Sequence, residues 1–349
     1  MSNANALYLG VIIFSFLISA ILIVPFINLL YKLRFQRLEQ KTIDPLGKPT
    51  PIFDRFNQQK AGTPVGGGII VICLTAVFFF LIITLLKVVG IELTANYGGM
   101  IKDEIFILFF TWFSFGMLGL YDDIKKFFHI EKSKFFGLKM KHKLAIQVIL
   151  AFVIGAMLYY KLHIDFINIP FFGLWHLGGW FIPLAALVIV AFTNAVNITD
   201  GMDGLAGGIL MISLIGFWLI AMSIIDTPMS IFISVWIGGL IAFLYFNVYP
   251  ARIFMGDVGA LAFGATFALI GLMTGKVMAL VVIGFVFVIE VGSSLIQLLS
   301  KKFRKKKAFS VSPFHLYLRN LGWEEPKIVQ RMWLAQIVLT VFGLWLTLI

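Results

Sequence analysis

FIPLAALVIVAFTNAVNITDGMDGLAGGILMISLIGFWLIAMSI, residues 181–224, consists of two apolar runs separated by a polar, glycine-rich break. Each run, 181–198 and 205–224, approaches the roughly 20 apolar residues that a helix needs to cross the hydrocarbon core of a bilayer. Eight further runs have the same character, near 7–31, 66–90, 105–121, 144–160, 230–249, 258–273, 277–299 and 332–349. Their length and composition predict an all-α polytopic membrane protein with ten transmembrane helices, a single integral-membrane domain over residues 1–349.

Of the 349 residues, 60% are apolar and 13% charged, and the mean hydropathy is +0.98. These values exclude a soluble enzyme, because so few polar groups cannot build a water-facing surface. Phe outnumbers Tyr 37 to 9, an excess of the aromatic without a polar tip that suits lipid-facing surface. Cys73 is the only cysteine, so no intramolecular disulfide can form.

A formal charge of +11 would point a soluble chain towards nucleic acid. Here its distribution points to the membrane, and no nucleic-acid partner is expected. The loops at 32–64, 122–143, 199–204, 250–257 and 300–331 hold 24 of the 28 Lys and Arg residues, which makes them cytoplasmic by the positive-inside rule. Ten helices then put both termini on the opposite, periplasmic side. The first run has no basic region before it and no small-residue cleavage site, and reads as a retained helix. Residues 161–180, with Trp175 and Trp180, are too mixed to span and read as an interfacial hairpin or loop. The run KKFRKKK at 301–307 is suited to anionic lipid or a substrate phosphate, but stop-transfer charge is the commoner reading of such a cluster.

Against this background the few carboxylates are informative. Asp122, Asp123, Asp200, Asp203 and Asp257 all fall where a predicted helix meets the cytoplasmic side. Like charges brought to one face repel unless cations or protons offset them, and a bound divalent cation would do so. Asn194, Asn197, Asp200 and Asp203 recur every three residues, which stacks them on one side if the segment is helical. With Gly201, Gly204, Gly207 and Gly208 beside them, they offer hard oxygen ligands and close backbone approach, both suited to a magnesium-bound diphosphate. Asn247 and Asp257 bracket a short loop around Phe254, although Asp257 could equally cap the following helix. QQKAGTPVGGG at 58–68 is rich in glycine but lacks the Lys and Ser or Thr of a P-loop. Glu290, Ser293, Ser294 and Gln297 form a polar stripe suited either to interhelical hydrogen bonds or to lining a site.

Taken together, KAGTPVGGG (60–68), GLYDDIKK (119–126) with Lys143 and Gln147 downstream, NITDGMDGLAGG (197–208), FNVYPARIFMGDVGA (246–260), EVGSSLIQ (290–297) and SPFHLYLRNLGWEEPKIVQRMW (312–333) resemble the polyprenyl-phosphate N-acetylhexosamine-1-phosphate transferases. The Gly-Thr-Pro loop, which includes Thr63, and the GWEEPKIVQRMW tail are most similar to the muramoyl-pentapeptide branch. The resemblance implies a magnesium-dependent, homodimeric enzyme of the bacterial inner membrane. Its reaction would move phospho-N-acetylmuramoyl-pentapeptide from a UDP-linked donor to undecaprenyl phosphate, giving lipid I and UMP.

By the same resemblance, Asp257 is the direct magnesium ligand, Asp122 the base that keeps the lipid phosphate ionised, and Asp123 its support. Asn194, Asn197, Asp200 and Asp203 would line the nucleotide and diphosphate pocket, with Thr63 in the loop beside it and Phe254 stacking on uracil. Asn247, Gln297 and His315 would hold polar groups of the donor, and Lys60 and Lys143 would meet phosphates. Two departures stand out. Three consecutive His in the muramoyl branch become His315, Leu316 and Tyr317, and the loop Thr63-Pro64-Val65-Gly66-Gly67-Gly68 lacks a second hydroxyl. The altered His loop, together with Ser312, Pro313 and Phe314, favours a UDP-GlcNAc-type or similar hexosamine donor as the alternative. A secondary transporter or a non-catalytic polyprenyl-phosphate binder are the readings from other classes.

Overall fold

The computed structural model describes residues 2–36, 50–95, 100–127 and 140–349. The middle of the predicted 32–64 and 122–143 loops, with part of their basic charge, lies outside the described residues. The described chain is built from α1 (Ser2–Lys32), α2 (Pro51–Asn57), α3 (Gly67–Val88), α4 (Ile101–Phe127), α5 (Met140–Lys161), α6 (Phe181–Thr199), α7 (Leu205–Ser223), α8 (Thr227–Asn247), α9 (Gly256–Met273), α10 (Val277–Ile283), α11 (Phe285–Leu299), α12 (Phe314–Asn320) and α13 (Glu325–Leu348). Strands β1 (Phe166–Ile169) and β2 (Gly173–His176) form an antiparallel hairpin between α5 and α6. Asn168 N–H donates to Gly275 O at 3.1 Å, which ties the hairpin to the turn after α9.

Among the described residues, nine helices are long and apolar enough to cross a membrane, and α10 with α11 makes up to ten. The chain is therefore a multi-pass membrane protein, since only structures that satisfy their backbone internally can span lipid. α9 is buried along nearly its whole length and stands at the centre, with α3, α4 and α6 packed on it. α8, also buried, packs against α1, α3 and α7. α1, α5 and α13 are mostly unburied and carry exposed residues such as Leu17, Ile149 and Val338, as lipid-facing helices should.

In lipid, apolar burial does not drive helices together, so small residues and close contact must do it. A Cβ on Gly68 of α3 would lie 2.3 Å from the Gly259 Cα of α9. Further along α9, Trp112 stacks on Phe263 at 5.2 Å and meets Trp236 edge-on at 4.8 Å. The Trp112 indole N–H donates to Ile72 O at 3.2 Å, so α4 is fixed to α3 by a polar contact within an apolar core.

Four expectations change. The predicted 277–299 helix is broken at Gly284, where α10 and α11 meet at 78°; a side chain there would strike the Phe192 ring, at 2.4 Å from the position of its Cβ. The last helix begins at Glu325, ahead of the expected 332, because Pro326 opens it and Lys60 and Arg319 pair with the Glu325 carboxylate. α4 continues to Phe127, so Asp122 and Asp123 lie within a helix and not beyond its end. Finally, α6 stops at Thr199, so the three-residue repeat does not stack on one helix: Asn194 and Asn197 are helical, whereas Asp200 and Asp203 belong to the following loop.

Candidate active site

The site is built around the first turn of α9. Gly256 opens that helix with φ of 77°, a left-handed conformation that glycine adopts without strain. Ahead of it, Phe254 N–H donates to Pro64 O at 2.8 Å, while Phe254 O accepts from Gly66 N at 3.1 Å and Gly67 N at 2.8 Å. The glycine-rich loop thus clamps the backbone of the Met-Gly-Asp turn. Asp123 Oδ2 accepts the Val258 N–H at 3.0 Å and so satisfies a free backbone donor at the start of α9 from across the helix interface.

Two lysines and three aspartates meet beside this turn. Lys126 Nζ is 2.7 Å from Asp257 Oδ2, 3.0 Å from Asp122 Oδ2 and 4.0 Å from Asp123 Oδ1. Lys143 Nζ is 3.0 Å from Asp122 Oδ2 and also pairs with Asp257 Oδ2. Asn197 Nδ2 donates to the other Asp257 oxygen at 3.1 Å, which fixes the plane of that carboxylate. Asp122 and Asp123 are buried, and a buried carboxylate without such cations would carry a large desolvation cost.

A second charged group lies on the opposite wall. Lys60 Nζ is 2.7 Å from Asp203 Oδ1 and pairs with Glu325 Oε1, whose other oxygen meets Arg319. Asp203 N–H donates to Glu325 Oε1 at 2.8 Å, and Asp203 Oδ2 accepts from Ala251 N at 3.0 Å. Asn247 bridges Gly204 N at 3.2 Å and Ile253 O at 2.8 Å, so its amide holds the two loops together.

Between the walls, one pocket is lined by Lys60, Thr63, Asp123, Lys126, Asp200, Asp203, Phe254 and Asp257, among others. Asp200 has no hydrogen-bond partner for its carboxyl among the described residues. Burial pushes that carboxyl up to about 7, helped by Asp257, Asp123 and Asp203 and opposed by Lys60.

Asp122, Lys143 and Asn197 join the pocket through their contacts with Lys126 and Asp257. Four other expected residues stand outside its lining. Asn194 donates to Gln147 at 2.8 Å, and Asn247 acts on the backbone as described. Gln297 braces the loop after α11 through Ala308 N at 2.8 Å and Phe309 N and O at 3.0 and 2.9 Å. His315 is buried against Glu290. Sequence reasoning missed Lys126, although its i,i+4 spacing from Asp122 is visible in GLYDDIKK, and missed Glu325, for which the sequence offers no local sign.

A magnesium ion fits this chemistry in one form only. Among the described residues, no three His, Cys, Asp or Glu side chains are grouped so that they could hold an ion alone. Magnesium commonly takes one or two carboxylates and completes its shell with water and substrate phosphates. Asp257 suits that mode: it borders the pocket, is 16% exposed, and carries ammonium groups where a cation would otherwise sit.

Comparison with known proteins agrees with the geometry. The family model for glycosyl transferase family 4 matches residues 105–275. The chain is 33% identical over 337 residues to a phospho-N-acetylmuramoyl-pentapeptide-transferase of Bacillus pumilus, covering 96% of each. It is 35% identical over 322 residues to one of Clostridium perfringens, covering 91% of this chain and 90% of the relative. Against one of Bacillus subtilis it is 34% identical over 293 residues, covering 84% and 86%.

Proposed function

The chain belongs to the phospho-N-acetylmuramoyl-pentapeptide-transferase family, and from that premise we propose that the pocket beside α9 is where the transfer takes place. The reaction joins phospho-N-acetylmuramoyl-pentapeptide, taken from its UDP-linked donor, to undecaprenyl phosphate. The products are lipid I and UMP, as one step of peptidoglycan synthesis. An oxygen of the lipid phosphate attacks the phosphorus next to the sugar, and the phosphoanhydride bond to UMP breaks. One phosphoanhydride replaces another, so no external energy source is required.

The observation that carries this reading is the convergence of Lys126 and Lys143 on Asp122 and Asp257, opposite Lys60 and Asp203. Two anionic phosphates must approach each other, and fixed cations in a site of low dielectric offset their repulsion. Lys60, Lys126 and Lys143 supply that charge. Asp122 lies between two lysines, placed to hold the lipid phosphate in its ionised form. A phosphate monoester has its second pKa at about 6, so this base chiefly positions. Asp123 keeps the α9 turn in place through Val258, and Asn197 orients Asp257. A magnesium ion at Asp257 would supply Lewis-acid support to the diphosphate and to departing UMP. Phe254 is placed to stack on uracil, with Thr63, Asp200 and Asp203 around the diphosphate.

The departure at 316 bears on the donor. Leu316 is buried in the apolar core and does not line the pocket, which supports retaining the pentapeptide sugar as donor. The family reading further implies a homodimer in a bacterial inner membrane, with the charged loops cytoplasmic. The deciding experiment measures UMP release by detergent-purified protein with undecaprenyl phosphate and magnesium, with UDP-MurNAc-pentapeptide and UDP-GlcNAc tested in parallel and Asp257→Ala as blank. Release with the pentapeptide donor is expected. Release with UDP-GlcNAc alone would move the protein to the other branch, and silence with both would overturn the assignment.

A further inference from the structure

Glu290 on α11 and His315 at the start of α12 form a buried pair, 0% and 1% exposed, that no step above uses. Glu290 Oε1 accepts the His315 backbone N–H at 3.1 Å, and Glu290 Oε2 lies 2.9 Å from His315 Nδ1. A backbone N–H can only donate and an ionised carboxylate can only accept. The pair is therefore satisfied when the ring proton sits on Nδ1, which leaves Nε2 as an acceptor. Nε2 is buried and has no hydrogen-bond partner among the described residues. It faces Gly201, where a Cβ would lie 2.5 Å from it, and Gly201 lines the pocket beside Asp200 and Asp203.

Resting on the function proposed above, we propose that Glu290 is a positioning residue for donor binding: it fixes the tautomer and orientation of His315 so that Nε2 faces the 200–203 wall of the pocket as a bare hydrogen-bond acceptor. The ligand group it suits is a hydroxyl or amide N–H on the sugar-bearing half of the donor. A buried acceptor without a partner is unfavourable, and a ligand donor relieves that cost on binding. On that side the ring nitrogen is covered by the Gly201 backbone with no side chain, and donor binding shifts that backbone to bring the ligand to Nε2.

The first test needs no turnover. In full-length protein labelled with 15N-histidine and placed in lipid bilayers, the His315 signals, identified by their loss in His315→Gln, should show a protonated Nδ1 and a bare Nε2. In Glu290→Gln the amide NH2 must face one of the two nitrogens, so the ring proton should move to Nε2. The second test is kinetic. Glu290→Gln should raise KM for UDP-MurNAc-pentapeptide by about tenfold, the effect of losing one hydrogen bond, with little change in kcat, and Glu290→Asp should recover part of that loss. Should Glu290→Gln not fold, Gly201→Ala probes the same contact from the pocket side and should also raise KM. A parent ring protonated on Nε2, an unchanged KM in either variant, or a loss confined to kcat and thermal stability would overturn the proposal. A parent protein that releases no UMP from any donor would overturn the function itself, an outcome these variants cannot mimic.

Discussion

Gly119 of α4 and Asp257 of α9 touch backbone to backbone: a Cβ on Gly119 would lie 2.2 Å from the Asp257 carbonyl oxygen. Asp122 and Asp123 follow within one helical turn, so this contact sets their distance from the Asp257 carboxylate. Gly119→Ala should push the helices apart at the site. Overpacking of this kind costs about 1–3 kcal/mol, and a displacement of about 1 Å in a reacting group can cost roughly 100-fold in rate. We expect a lower melting temperature in detergent together with a loss of UMP release well beyond what the fraction of folded protein explains. Parental activity in Gly119→Ala would show that the spacing is not critical.

Asp122 and Asp257 share Lys126 and Lys143, yet their expected losses differ. The lipid phosphate is already largely dianionic at neutral pH, so Asp122→Asn should reduce kcat by about 100-fold, within the usual range for a general base. Asp257→Ala should reduce it further and should abolish the dependence of the residual rate on magnesium concentration. The check is a magnesium titration of UMP release for both variants, and equal losses would remove the distinction.

Lys126 contacts three carboxylates at once. Lys126→Met leaves Asp122 and Asp257 to share Lys143; losing one partner of a buried pair typically costs about 3–5 kcal/mol, less here because Lys143 remains and Lys126 is 18% exposed. Added magnesium should then raise the melting temperature of Lys126→Met more than that of the parent, because the ion can replace the missing charge. Differential scanning fluorimetry with and without magnesium reads this directly, and equal shifts would count against a cation site at Asp257.

The part of the fold that each span encodes in itself was legible, because a helix in lipid must satisfy its own backbone with consecutive apolar residues. Features decided across the interior were not. The bend at Gly284 depends on Phe192, and the early start of α13 depends on Lys60 and Arg319. Within the site, the aspartates were legible because carboxylates are scarce in this chain. Lys126 was not, because an i,i+4 pair with Asp122 is ordinary on a helix and its contact with Asp257 comes from 131 residues away. Gln297 and Asn247 were read as facing the donor, whereas their amides hold backbone in place, a distinction that composition does not carry.

Asp200 gives a pH dependence with a definite sign. Its carboxyl is held at about 7 in the fold, against 3.8 for the ordinary group, so between those values the folded chain keeps a proton that the unfolded chain has lost. Stability from this group is fully present below the unfolded value, falls as pH rises through that window, and is constant above it. Asp200→Asn, which cannot ionise, should match the parent at pH 4 and be the more stable of the two at pH 8. Unfolding midpoints of metal-free protein across that range test it, and a gap that does not grow with pH would refute the raised value.

Glu325 joins three parts of the pocket wall through Lys60, Arg319 and the Asp203 N–H. Glu325→Gln preserves the shape but removes the charge that balances two cations. Lys60 would retain Asp203 at 2.7 Å, so the wall should persist at a cost of about 1–3 kcal/mol, the usual penalty when a buried hydrogen-bonding group loses its partner. With its second carboxylate gone, Lys60 is held less firmly where the donor phosphates bind. The expected kinetic result is a rise of about tenfold in KM for the UDP-linked donor, the equivalent of about 1.4 kcal/mol, with kcat for bound donor close to the parent. A fall in kcat at unchanged KM would instead place Lys60 and Glu325 in the transition state and move the reacting phosphorus towards their wall.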